Sequence, residues 1–200
     1  MMPTWKRETR EAADNPQHPW DKEAISWPHL NATSVVWEVG SFKGRWALQM
    51  ARLYNPYLYC FEPQRWAAGV TREVLKRFNA SVYDFGLGST DAMLSMGEHG
   101  TDGCSFTKDS RETATCEMRE ITSVLDHLGI QRIDLMLVNI EGGEYDLIPY
   151  MFNRSVFPEI LIVQFHEGDY KVLRHLIESH YSVEWDYGRT LAAFRWGGAE

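Results

Sequence analysis

The sequence predicts an α/β fold: a doubly wound, mostly parallel sheet with an antiparallel C-terminal edge. Three observations predict it. Residues 35–44 followed by 57–62 read as strand, glycine turn, helix, strand and carboxylate. Residues 133–140 form a nearly continuous apolar run, as a central parallel strand buried on both faces requires. Two short strand patterns at 182–185 and 191–196, joined by Asp186-Tyr187-Gly188-Arg189, close the sheet as a hairpin.

Each element follows in order. The first strand spans 34–39, and the helix after Gly44 carries Trp46, Ala47, Met50, Ala51 and Tyr54 at helical spacing before Asn55-Pro56 stops it. A strand at 57–61 leads past Pro63 into a helix through Trp66, Val70, Val74, Leu75 and Phe78, closed by Asn79, and then into a strand at 81–85. Periodicity disappears between 88 and 111, where Gly97-Glu98-His99-Gly100-Thr101-Asp102-Gly103 has loop chemistry. A short strand at 113–120 precedes a helix at 121–128 whose N-cap is expected at Thr122 or Ser123. After the central strand come a helix through Tyr145, Ile148 and Met151, a strand at 159–165, and an amphipathic helix at 170–179. Residues 1–31, with a breaker cluster at Asn15-Pro16-Gln17-His18-Pro19-Trp20, read as an N-terminal extension, and residues 32–200 as one domain.

Composition narrows the function. A chain of 200 residues with 44% hydrophobic residues suits one folded domain. The formal net charge of -8, without a Lys/Arg-rich run, argues against a nucleic-acid partner, because affinity for nucleic acid rests on cations that neutralise phosphates. Cys60, Cys104 and Cys116 are far apart and form no C-x-x-C pair, so they read as free thiols. His99, Asp102 and Asp109 match no ligand spacing, and no metal is expected. The polar first 20 residues and the lack of a membrane-length apolar run predict a cytoplasmic protein without membrane contact.

The turn carries the chemistry. Gly40 and Gly44 bracket a bulky Phe42, so the turn lacks the glycine that lets a backbone approach a pyrophosphate. It suits a nucleoside with an amino-acid tail, which points to S-adenosylmethionine rather than a nicotinamide dinucleotide. Glu62, at the end of the second strand, is placed to accept from ribose hydroxyls. Glu38 precedes the turn and fits the ammonium of the methionine part, while Lys43 and Arg45 are candidates for its carboxylate.

In order along the chain, Glu38-Val39-Gly40-Ser41-Phe42-Lys43-Gly44, Phe61-Glu62-Pro63, Gly86-Leu87-Gly88-Ser89, Leu125-Asp126 and Leu137-Val138-Asn139-Ile140-Glu141-Gly142-Gly143-Glu144 resemble the motifs of the FkbM family of S-adenosylmethionine-dependent methyltransferases. The resemblance covers residues 35–167 and implies a class I, Rossmann-like methyltransferase fold. It also implies S-adenosylmethionine as cofactor and S-adenosylhomocysteine as product, with methylation of a hydroxyl on a sugar, glycan or secondary metabolite. The implied cofactor residues are Glu38, Gly40, Ser41, Lys43, Gly44, Glu62, Leu87 and Asn139. Two departures stand out: Leu137 and Asn139 replace the Lys and Asp of the last motif, and Gln164 replaces an acid near the end of the fifth parallel strand. Asn139 still hydrogen-bonds but cannot act as a base.

Methylation of an alcohol needs a base near the hydroxyl. The candidates at the C-terminal sheet edge are Glu141, Glu144, His166 and Glu167. His166 is the expected base, since an ordinary imidazole is largely neutral near pH 7, and Glu141 is expected either to meet substrate or to cap the helix after Gly143. The loop at 97–109 and the N-terminal aromatic segment are expected to cover the acceptor. Two alternatives stay open: an N-methyltransferase acting on a small amine or a protein side chain, and a module that binds the cofactor without turnover. A nicotinamide oxidoreductase fits less well.

Overall fold

The computed structural model describes residues 27–97, 113–166 and 168–198. Its elements are β1 (Val35–Val39), α1 (Arg45–Tyr54), β2 (Tyr57–Phe61), α2 (Arg65–Leu75), β3 (Ala80–Tyr83), β4 (Gly86–Gly88), β5 (Ala92–Gly97), β6 (Thr113–Glu120), α3 (Ile121–Leu128), β7 (Leu135–Val138), α4 (Glu144–Asn153), β8 (Ile160–Gln164), α5 (Tyr170–Glu178), β9 (Tyr181–Asp186) and β10 (Leu191–Trp196). Seven strands form the main sheet in the order β3-β2-β1-β7-β8-β10-β9. Pairing is parallel from β3 to β8, and β10 runs antiparallel to both β8 and β9. This is the doubly wound sheet with the antiparallel edge that the sequence predicts.

Strand alternation sends side chains to two covered faces. On one face Trp37, Val39, Phe61, Met136, Val138 and Leu161 pack under α3, α4 and α5. On the other, Val36, Leu58, Leu135, Leu137 and Ile162 pack under α1 and α2. Trp27 and Leu30 join this second layer at 3% and 5% exposure, and the backbone N–H of Trp27 donates to the Tyr54 hydroxyl at 2.7 Å. The described part of the expected extension is therefore packed into the domain. Residues 1–26, and with them most of the aromatic segment expected over the acceptor, lie outside the described residues.

Three local expectations need correction. The third strand ends at Tyr83, two residues early, and Phe85 turns into the core while Gly86–Gly88 start a second sheet of order β4-β6-β5. The stretch read as loop contains β5, which pairs antiparallel with β6. Its strand signal is faint because it lacks β-branched and aromatic residues and leaves Met93 62% and Leu94 39% exposed. Finally, Glu120 rather than Thr122 or Ser123 caps α3: its carboxylate accepts from the backbone N–H groups of Thr122 and Ser123 at 2.9 and 2.7 Å and from both hydroxyls. A longer acidic side chain two positions before Thr122 reaches the orphan donors of the first turn and carries charge suited to the helix dipole. The rest of the expected covering loop, with His99, Cys104, Asp102 and Asp109, lies outside the described residues. Cys60 and Cys116 are buried. Among the described residues no helix is long and apolar enough to cross a membrane.

Candidate functional site

The chain leaves β1 for β2 and β3 on one side and returns at β7 on the other, so the sheet order reverses between β1 and β7. Open α/β sheets bind ligands at this crevice, beyond the carboxyl ends of the strands. The motif residues collect there.

Gly40 ends β1 at φ +85°, and a Cβ on it would lie 1.8 Å from the Asn139 carbonyl oxygen at the end of β7. Only glycine fits, both for the left-handed backbone and for the approach of the two strand ends. The Gly40 and Ser41 N–H groups, which a ligand-cradling turn would aim outward, donate to the Phe61 carbonyl at 2.9 and 3.2 Å. The turn is therefore tied to β2. Phe42 holds a left-handed φ of 45°, unusual for a bulky residue. Its N–H donates to Glu62 Oε2 at 2.7 Å, and its carbonyl accepts from Thr71 Oγ1 at 2.7 Å. Gly44 also has a left-handed backbone, with Thr71 Cγ2 2.8 Å from a notional Cβ.

Glu62 is 4% exposed, and its other oxygen accepts from the Gln64 N–H at 2.9 Å. Burial pushes its carboxyl up to about 7 against the pull of these two donors. Glu38 is also buried; burial holds its carboxyl well above the usual carboxylate range, and the neighbouring Glu62 adds to the rise. Three buried side-chain atoms at the crevice, Glu38 Oε2, Ser41 Oγ and Asn139 Oδ1, have no hydrogen-bond partner among the described residues. Buried polar groups are ordinarily satisfied, so these atoms, at a switch point where open α/β sheets bind ligands, are candidates for a polar ligand.

Lys43 lies with its Nζ 5.0 Å from the centre of the Phe42 ring and 5.7 Å from that of Trp66. The two rings meet edge to face at 5.5 Å, and the Trp66 indole donates to Gln64 Oε1 at 3.0 Å. Thr71, Gln64 and Trp66 thus shape the turn, although none was singled out from sequence for the site. Thr71 sits mid-helix with no local signal, whereas Gln64 is betrayed only by following Glu62-Pro63. Leu87 takes a different place from the one expected: its side chain is 1% exposed in the hydrophobic core, so only its backbone is available to a ligand.

A second group gathers at the ends of β7 and β8. His166 Nε2 lies 3.2 Å from Glu141 Oε1, and Nδ1 lies 3.2 Å from Glu144 Oε1. Glu144 Oε1 also accepts from the His166 backbone N–H at 2.8 Å, and its Oε2 accepts from the Gly142 N–H at 2.9 Å. Burial works against the imidazolium, but hydrogen bonds to Glu141 and Glu144 and their charge outweigh it and raise His166 to about 9. This corrects the expectation of a neutral histidine: two carboxylates, not solvent, set its proton affinity. Glu144 is pushed up by burial, yet His166 brings its carboxyl below the ordinary value. The N-cap position of α4 is Gly143, and the Glu141 carboxylate reaches His166. Glu167 lies outside the described residues. Among the described residues no cluster of His, Cys, Asp and Glu is arranged to hold a metal ion.

No protein-family model matches the chain, and no curated relative matches it. Solved structures do share its backbone. Methyltransferase FkbM from Methylobacillus flagellatus KT aligns with a TM-score of 0.60 at 12% identity, over 98% of this chain and 56% of that one. An rRNA methylase from Streptococcus thermophilus aligns at 0.51 with 14% identity, over 84% and 89%. Fibrillarin from Aeropyrum pernix, solved with natively bound S-adenosyl-L-methionine, aligns at 0.50 with 11% identity, over 85% and 68%. The chain thus spans a little over half the length of the first. These likenesses establish the fold as the Rossmann-like sheet of class I methyltransferases.

Proposed function

We propose that this chain is an S-adenosylmethionine-dependent methyltransferase of the FkbM type, acting on a hydroxyl of a sugar, glycan or secondary metabolite. The observation that carries the reading is the trio of buried, unpartnered atoms, Glu38 Oε2, Ser41 Oγ and Asn139 Oδ1, around Gly40 at the reversal of strand order. The donor and acceptor types fit the cofactor. Asn139 and Glu38 offer acceptors to an ammonium, Ser41 offers a hydroxyl to a carboxylate, and Lys43 adds a nearby cation.

Glu62 is the ribose residue. Each carboxylate oxygen holds one backbone N–H and keeps a second lone pair for a hydroxyl donor. When bound, the cofactor supplies an electrophilic methyl group on a sulfonium. The task of the protein is then to hold an oxygen in line with that methyl and to take the hydroxyl proton. His166 and Glu141 stand at the neighbouring strand ends for this role. An overall charge of -8 supports a small-molecule or glycan acceptor over RNA.

Calorimetric titration of S-adenosylmethionine and S-adenosylhomocysteine, with NADH as control, tests the reading. Micromolar binding of both adenosyl ligands and none of NADH is expected, with Glu62→Ala weakening it at least about tenfold, ~1.4 kcal/mol. Absence of adenosyl binding overturns it. Methyl transfer to an amine panel but to no hydroxyl would replace the O-methyl assignment with the N-methyl one, and binding without transfer to any acceptor would favour a non-catalytic module.

A further inference from the structure

We propose that Glu144 is a positioning residue which, together with Glu141, brackets both ring nitrogens of His166 to make one proton-accepting unit for the acceptor hydroxyl. The inference rests on the hydroxyl-methylating reading above and assigns the roles within its base.

The geometry separates a buried end from an open one. Glu144, the first residue of α4, is fully buried, and a single oxygen, Oε1, contacts both the backbone N–H of His166 at 2.8 Å and Nδ1 at 3.2 Å. Holding the backbone and ring of the same residue fixes the ring plane. Tyr145 Oη donates to the His166 carbonyl at 2.9 Å, so the residue is pinned on both sides of its peptide. A Cβ at Gly168 would fall 2.4 Å from the Tyr145 ring, which keeps the following turn tight against that clamp.

The other nitrogen points the other way. Nε2 lies 3.2 Å from Glu141 Oε1 and 3.4 Å from the Gln164 amide. The side chains of His166 and Glu141 keep 16% and 19% exposure, against 0% for Glu144, so among the described residues the exposed surface of the group lies on His166 and Glu141. Glu141 adopts a left-handed φ of 52°, immediately before Gly142 at 106°. A non-glycine residue there costs roughly 1–2 kcal/mol, and such strain is retained where the surroundings enforce it, often at reacting sites. An ion pair serving only to join α4 to β8 needs one carboxylate. Two carboxylates on one imidazole leave a unit whose net charge is negative even with the ring protonated, suited to drawing a proton from an alcohol.

The step balances as follows. The hydroxyl O–H bond breaks and its proton goes to Nε2 of the neutral ring. The O–C bond to the methyl forms as the C–S bond breaks, and sulfur keeps the electron pair. The proton then leaves to solvent past Glu141. Glu141 on the β7 turn, Glu144 on α4 and the neutral Gln164 on β8 face the ring, while Tyr145 on α4, on which the charge of Asp169 before α5 acts, holds the His166 carbonyl. Because the resting ring is held protonated to about pH 9, turnover rises with pH until that point.

The test is an NMR titration of the His166 ring in the full chain, in wild type, Glu144→Gln and Glu141→Gln, paired with S-adenosylhomocysteine calorimetry and pH profiles of methyl transfer to a panel of methyl glycosides. The expected result is titration near 9 in wild type. Each variant lowers the ring's proton affinity at least about tenfold, and Glu144→Gln loses the fixed Nδ1–H signature, while affinity for S-adenosylhomocysteine stays within about twofold. In Glu144→Gln the rising limb of the rate profile moves to lower pH together with the ring, and the plateau rate falls about tenfold. Wild-type titration near the ordinary 6.5 overturns the proposal, as does a limb that stays in place or intact cofactor binding without transfer to any hydroxyl. Glu141→Gln and the wild-type titration still decide the matter if Glu144→Gln does not fold. Loss of adenosyl binding in the wild type would sink the methyltransferase reading instead, and the ring titration would stand apart from it.

Discussion

The two ends of the crevice treat carboxylates in opposite ways. At the glycine turn, Glu38 and Glu62 are buried, desolvation is the largest influence on each, and both are pushed toward the neutral acid. At the β7–β8 end Glu144 is also completely buried, yet its carboxyl is held below the ordinary value because the His166 ring at Nδ1 and two backbone N–H groups face it. The lesson is that burial alone does not set the charge of a buried acid; the partner it is given does. The first end leaves Glu38 Oε2, Ser41 Oγ and Asn139 Oδ1 without partners among the described residues, whereas at the second both ring nitrogens of His166 face a carboxylate.

The largest expected effect breaks the first end outright. Gly40→Ala places a methyl 1.8 Å from the Asn139 carbonyl and forces alanine to φ +85°. A loss of about 3 kcal/mol or more is expected, read as a fall in Tm or in soluble yield. Wild-type stability in this variant would mean that the β1 and β7 ends separate easily and that the crevice is not rigid.

Next in size is the second end. His166→Ala removes the ring from a buried carboxylate that keeps only its backbone donors, and a cost of about 1–3 kcal/mol in urea unfolding at pH 7 is expected. The same variant raises the Glu144 carboxyl, since the cation that lowered it is gone. A neutral effect would show that the ion pair is replaced by water without loss.

The pH dependence sharpens the contrast, because Glu62 and His166 change charge in separate windows. Glu62 has a folded value near 7, above its unfolded one, so the folded state binds the extra proton and stability falls as pH rises from about 4.5 to 7. His166 is raised to about 9, so its contribution is whole below about 6.5 and is lost as pH rises through 9. Each slope is at most about 1.4 kcal/mol per pH unit. Glu62→Gln is expected to reduce the slope between about 4.5 and 7, where buried Glu38 adds a slope of the same sign, and His166→Gln to reduce the slope approaching 9, in denaturation curves collected from pH 4.5 to 9.5. Adenosyl binding should strengthen as pH rises through about 7, because hydroxyl donors favour the ionised Glu62.

The smallest effect is Asn139→Ala. Its Oδ1 is buried and unpartnered, so deleting it should leave unfolding free energy within about 0.5 kcal/mol of wild type while weakening S-adenosylhomocysteine several-fold. Equal affinity in the variant would remove Asn139 from the cofactor residues.

Much of the fold was legible because local chemistry and burial agreed. The strand Tyr57–Phe61 and the helix Ile121–Leu128 fall at the residues where their patterns start and stop. The helices after Gly44 and Asp169 end within a residue of expectation, at Tyr54 and Glu178. β5 was not legible, since an exposed strand without β-branched residues carries no alternation. The cap of α3 was misplaced because Glu120 looks like the end of a strand until its carboxylate is seen folding back over the helix start.

The sequence by itself determined the alternating layers, the two glycines at the turn, and the expectation that Glu38, Glu62, Asn139, Glu141 and His166 lie at one sheet edge, because period and turn chemistry are local properties and the strands of a parallel sheet end on a common side. Only the tertiary structure decided how each of these groups behaves. Leu87 faces the core, the Gly40 and Ser41 N–H groups are committed to Phe61, and His166 is a bracketed cation rather than a neutral base. Proton affinity and hydrogen-bond commitment depend on distance and desolvation between residues far apart in the chain, such as Glu144 and His166, and no spacing along a sequence encodes them.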